Sequence, residues 1–161
     1  MLSALGVVFL YLGAIIEVLD LSLAAFSSLL VVFAVIELGG YWPWLVYLVT
    51  GLLAALLLPQ KFGAAVYLLF TGYYPMVKRF AEAKLPRLLA LALKLATFNL
   101  SLLAAWGLTR LLLIEITLGV SLWVAVIFLE VTFLLYDFVL TRLISLYVFR
   151  LRKRLKIKKG D

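Results

Sequence analysis

Hydrophobic residues in this chain come in long runs, each close to the length of a helix that crosses a bilayer, with polar residues as punctuation between them. The first run extends from about Leu2 to Leu19, closing at Glu17 and Asp20. The second covers Leu21 to Leu38 and stops at Gly39-Gly40. The third, Tyr41 to Leu58, is closed by Pro59-Gln60-Lys61. The fourth, Phe62 to Val77, ends in Gly72-Tyr73-Tyr74-Pro75 and then Lys78-Arg79. A fifth spans Leu88 to Leu108, and the sixth begins near Ile116. A spanning helix needs about 20 apolar residues, roughly 17–25, so runs one, two, three and five qualify by length. The fourth is short and holds a glycine and a proline, which predicts a kink or a place against protein rather than lipid. The apolar–polar alternation of a membrane β-barrel is absent. The expected fold is an all-α integral membrane protein, a bundle of six transmembrane helices, or five if the fourth does not cross. Composition agrees: 67% of residues are hydrophobic and 14% charged, against about 45–50% and 25% in soluble domains. A chain of 161 residues cannot cover that much apolar surface with its own polar groups, so its solvent is lipid.

No breaker occurs between Ser121 and Lys159. A helix from Thr117 to Phe149 would be about 48 Å long, longer than the bilayer core. It is expected to leave the membrane near Asp137 to Arg142. Residues 1–149 then form the transmembrane domain and 150–161 a basic cytoplasmic tail. Seven cations in that tail suit anionic lipids, at about 1 kcal/mol each near the surface. Lys78, Arg79, Lys84 and Arg87 together with the tail hold eleven of the fifteen Lys and Arg residues. The positive-inside bias therefore places both termini in the cytoplasm. Met1-Leu2-Ser3 lacks the charged start of a signal peptide, so the first run is expected to stay as a helix. Tyr41, Trp42 and Trp44 fall at an inner boundary and Trp106 at an outer one, as interfacial aromatic residues do.

Ionisable groups at membrane depth are costly and mark candidate sites. Lys94 lies about 9 Å above the inner boundary of helix five, and Glu130 about 9 Å above that of helix six. Equal depth on antiparallel neighbours predicts a Lys94–Glu130 ion pair. Asp137, two turns below Glu130, can reach Lys94 or Arg142, and Glu37 has Lys78 and Arg79 at its level. Such pairs hold helices in register or, in a sharper reading, carry a coupling ion or proton. Asn99 falls near the bilayer centre, where an amide bonds a neighbouring helix or a ligand. On the outer side Glu17, Asp20, Lys61 and Arg110 crown the turns, either as solvated loops or as the cap of a solute cavity. Small residues at four-residue spacing, Ala24/Ser28 and Gly51/Ala55, suit close helix packing. The chain has no Cys and no His, which removes thiolate chemistry, the commonest metal ligand and the usual neutral-pH base. No cofactor, metal site or enzymatic activity is expected, and no nucleic-acid partner, since the cations sit beside lipid.

The order of spans, with Leu19-Asp-Leu-Ser22, Gly39-Gly40 and Leu57-Leu-Pro59, resembles the substrate-binding S components of energy-coupling factor vitamin transporters. Leu57-Leu-Pro-Gln-Lys61, Tyr67-Leu-Leu-Phe-Thr-Gly-Tyr-Tyr-Pro-Met-Val-Lys78, Lys94-Leu-Ala-Thr-Phe-Asn99 and Phe133-Leu-Leu-Tyr-Asp137 are similar to a family of uncharacterised membrane proteins of Gram-positive bacteria. The S-component likeness implies a six-helix bundle with a solute pocket toward the outer face. It also implies docking on a transmembrane coupling protein driven by two ATPases. The first run carries Ser3, Ala4, Gly6, Gly13 and Ala14 without the four-residue spacing of the alanine motif in those proteins. The chain also resembles, more distantly, the rod-shape factor MreD, a membrane scaffold. The expected function is thus a solute-binding transporter subunit, the alternative a non-catalytic scaffold.

Overall fold

The computed structural model describes residues 1–111 and 121–151. Nine-tenths of these residues are helical, and none of them is in a strand. The helices are α1 (Leu2–Ile15), α2 (Asp20–Phe33), α3 (Trp42–Leu57), α4 (Phe62–Val66), α5 (Tyr74–Lys84), α6 (Arg87–Leu111) and α7 (Leu122–Leu146). Three of them run on into one wider π-helical turn: α2 through Ala34–Leu38, α4 through Tyr67–Thr71 and α7 through Tyr147–Leu151. The chain divides into two compact units, Met1–Ala105 and Trp106–Asp161.

Turn chemistry sets the helix ends. Gly39 and Gly40 take φ of +62° and +53°, the left-handed backbone that glycine adopts without strain and that closes α2. Leu58 and Leu85 are extended because each precedes a proline, whose ring excludes the helical conformation there. Pro43 and Pro75 sit in the first turns of α3 and α5, where a missing N–H costs nothing.

Three helices are long and apolar enough to cross a membrane: Asp20–Leu38 with 19 residues, Arg87–Leu111 with 25 and Trp123–Phe149 with 27. Runs one and three yield apolar helices of only 14 and 16 residues. Their ends are spent on the 3₁₀ turn Glu17–Leu19 and the extended Leu58. The fourth run breaks outright. Its helix ends with Thr71, and Pro75 opens a new one rather than closing the old. Residues 78–84, expected as a loop, are therefore helical: α5 has polar flanks and buries Tyr74, Pro75, Lys78 and Ala81, the i, i+4, i+7 stripe of a helix packed on one side. The sixth run is continuous, as its lack of breakers predicts, from Leu122 to Leu151 and so across the expected 149/150 boundary. The basic tail from residue 152 onward and the Thr117 start of that run lie outside the described residues.

In the first unit the inward faces hold small and hydroxyl residues. α1 buries Gly6, Leu10, Gly13 and Ala14, a stripe spaced by three and four residues. α2 turns Ala24, Ser27, Ser28 and Val31 inward, and α3 Val46, Thr50, Gly51 and Ala54. The Ser27 hydroxyl donates to the Gly6 carbonyl at 3.2 Å. A Cβ on Gly6 would fall 2.8 Å from Thr50 Cγ2, and one on Gly51 would overlap Leu68. Leu52, Leu56 and Leu57 point outward on α3. Small residues inside and leucines outside is the arrangement of helices that associate by close backbone approach in hydrocarbon.

Candidate functional site

The break in the fourth run gathers a cluster of polar groups inside the first unit. The Tyr47 hydroxyl on α3 donates to the Leu68 carbonyl at 2.8 Å, within the widened turn. Gly72 closes that turn through its N–H to the Tyr67 carbonyl, also 2.8 Å. A Cβ on Gly72 would collide with both the Tyr47 ring and that carbonyl, so a glycine is needed where the chain bends. Tyr73, just past the break, lies 2.7 Å from the Ser101 hydroxyl of α6. Ser101 spends its one proton on the Thr97 carbonyl at 2.8 Å, so Tyr73 is the donor of the pair. The Thr71 hydroxyl faces the Ala24 carbonyl at 3.5 Å. Around these polar groups the Tyr47 ring meets those of Tyr67 and Tyr73, and Phe70 meets Tyr74 and Phe98, with centroids 5.0–6.1 Å apart. Thr50 Oγ1 is buried without a hydrogen-bond partner among the described residues.

A second polar cluster joins α5 to α6. Lys78 is 1% exposed and Lys94 7%. Both ammonium groups meet the same oxygen, Glu82 Oε1, at 2.9 and 2.6 Å. Burial pushes the Glu82 carboxyl up, but the hydrogen bonds from Lys94 and Lys78, with their charges, outweigh it and hold the group below its ordinary range. Beside them Arg79 donates to the Val35 carbonyl at 2.7 Å, tying α5 to the end of α2.

The residues singled out from the sequence fall into several settings. Asp20 is buried at the start of α2, with its carboxylate against the backbone of Gly13 and Gly63, where a side chain on either glycine would intrude. Lys61 donates to the Ala55 and Leu58 carbonyls at 2.7 and 2.6 Å, covering the C-terminal end of α3 as a cation there should. Glu17 lies in the 3₁₀ turn before Asp20. Asn99 is on an exposed face and donates to the Leu95 carbonyl of its own helix at 3.0 Å. Glu37 is half-buried in the π turn of α2. In the second unit Arg110 lies over the Trp106 ring at 5.3 Å and Arg142 over the Phe138 ring at 5.1 Å. Glu130 and Asp137 both lie on α7. The expected Lys94–Glu130 pair would join residues of the two units; within its own unit Lys94 takes Glu82. The sequence reading passed over Glu82 and the tyrosines of the break. Glu82 could have been found from its place four residues after Lys78, the spacing that pairs charges on one helix face.

Among the described residues no group of three or more acids could hold a metal ion. No family model matches the chain, and neither a curated protein nor a solved structure proves similar to it.

Proposed function

We propose that this protein is a membrane-embedded, non-catalytic subunit that binds a small solute for a transporter of the S-component kind. The broken fourth helix carries the reading. Discontinuous helices with widened turns recur where membrane proteins hold solutes, because they bring polar backbone and side chains to depths otherwise filled by hydrocarbon. Here the break gathers Tyr47, Thr71, Tyr73 and Ser101 in an aromatic setting, apolar walls with few polar groups, as solute sites require. In this reading six crossings keep both termini in the cytoplasm, and the subunit docks on a transmembrane coupling protein with an ATPase pair. The Lys94–Glu130 pairing belongs to the same proposal. The engagement of Asp20 and Lys61 in the framework favours a second reading, a membrane scaffold, since those side chains are then not available to a solute.

Affinity purification of the full chain in mild detergent, with mass spectrometry of co-purifying proteins and small molecules, tests the choice. Recovery of a coupling protein, two ATPases and a solute that Tyr47→Phe or Ser101→Ala releases is the expected result. Recovery of cell-wall assembly proteins with no solute would overturn it in favour of the scaffold.

A further inference from the structure

A cleft of about 250 Å³ opens where the Gly39-Gly40 turn, the start of α3 and α5 meet. Its walls are Pro43, Trp44, Met76 and Phe80, and its charged groups are Arg79 and Lys84. No carboxylate lines it. Arg79 uses one donor of its fork on the Val35 carbonyl, which fixes the guanidinium at the wall and leaves its charge uncompensated. The Lys84 ammonium lies 4.9 Å over the Phe80 ring, which orients it without neutralising it. Neither cation is in an ion pair among the described residues. The stacked pair Tyr41 and Trp42, 5.1 Å apart, adjoins the lining residues Gly40 and Pro43 in the chain, and the half-exposed Trp44 is itself part of the wall. Amphipathic rings of this kind sit at headgroup depth.

We propose that this cleft binds the phosphate of an anionic phospholipid, with Arg79 and Lys84 on the phosphate and the upper acyl chain against Trp44, Met76 and Phe80. Three observations converge on that occupant. Two adjacent cations with no carboxylate in the lining attract an anion. Arginine's planar fork matches phosphate oxygens, two donors at a time. The apolar walls suit a molecule whose anionic head continues into hydrocarbon, which a free inorganic anion does not. The volume is below the roughly 300–1,000 Å³ of sites that enclose a drug-sized ligand, so the cleft takes a headgroup and leaves the chains in the bilayer. The site does not depend on the solute reading.

Native mass spectrometry of the full chain in mild detergent, titrated with phosphatidylglycerol or phosphatidylcholine, tests it. Each interfacial cation contributes about fivefold in affinity, so phosphatidylglycerol is expected to be retained at least about fivefold better. Arg79→Gln with Lys84→Gln should cut that preference by about fivefold or more, whereas Arg152→Gln with Lys153→Gln in the tail should change it less. Lys84→Glu alone, a change at an exposed residue, serves where the double variant does not fold, and it should weaken retention by the same factor. In competition, glycerol 1-phosphate should displace little lipid, since it lacks the chain. An unchanged preference in the Arg79 and Lys84 variants, or its loss only in the tail variant, would overturn the site. Equal binding of glycerol 1-phosphate would overturn the lipid as occupant in favour of a soluble phosphate.

Discussion

Glu82 holds two buried ammonium groups on one carboxylate oxygen, so a single exposed acid links α5 to α6. Glu82→Gln keeps the shape and removes the negative charge that Lys78 and Lys94 share, in an interior that penalises undercompensated cations. Because Glu82 itself is partly exposed, screening reduces the loss, and we expect about 1–2 kcal/mol in detergent thermal unfolding. The same group gives the protein a pH dependence. Its folded-state pKa lies below the ordinary value, so its contribution is complete above the usual carboxylate range and fades as pH falls through the folded value. Wild-type stability should therefore drop on acidification through that range more steeply than the stability of Glu82→Gln, and equal slopes would remove Glu82 as the cause. Double-mutant cycles then apportion Lys94 between acids. The cycle with Glu82 should show favourable coupling; in the cycle with Glu130, Lys94→Ala alone should cost more than the pair of changes together, which is the test of the pairing expected from depth.

At the scale of elements, glycines decide which helices can meet. A side chain on Gly63 or Gly13 would enter the space of the buried Asp20 carboxylate, and Asp20 has little room to yield. Gly63→Ala should destabilise by about 1–3 kcal/mol, the range of overpacked interiors. Gly107 in α6 has nothing near its Cβ position; Gly107→Ala should be neutral or stabilise by up to about 1 kcal/mol through helix propensity alone. Paired melting curves check both, and similar effects would show that propensity rather than packing governs. Such packing was only half legible in the sequence. Turns announced by Gly39-Gly40 and Pro59 could be read, because each acts on its own backbone and needs no neighbour. The glycine stripe of α1 runs at three-, four- and seven-residue intervals, and a search for four-residue spacing alone misses it. Pro75 misled for a related reason: in sequence it marks the edge of a helix, but only the closure of the preceding turn by Gly72 decides which edge.

At the scale of the whole molecule, apolar run length overstated helix length, because the turns between short helices are themselves apolar: Leu19 and Leu58 lie in turns yet count toward the first and third runs. The charges at the break and at α5 were hidden differently. Lys78 reads as a loop cation when taken with its basic neighbours, and only the stripe it shares with Tyr74 and Ala81 turns it inward. What survives from sequence to structure is the class, a helical chain with three helices fit to span a membrane. The six-crossing topology makes a sharper demand, which the chain is well suited to meet because it contains no cysteine. Single cysteines can be introduced without removing native ones. Under six crossings with both ends cytoplasmic, Ser3→Cys, Ala83→Cys and Lys159→Cys should all be blocked by an impermeant thiol reagent only after the membrane is opened, whereas Gln60→Cys and Thr109→Cys should react in intact cells. The Ala83 position is the discriminating one. It lies in α5, after the broken helix, so labelling from outside would mean that the fourth run does not cross. The chain would then have five crossings, its carboxyl terminus would lie outside, and the positive-inside count would have to be explained by α5 lying on the outer surface, where its three cations have no anionic leaflet to meet.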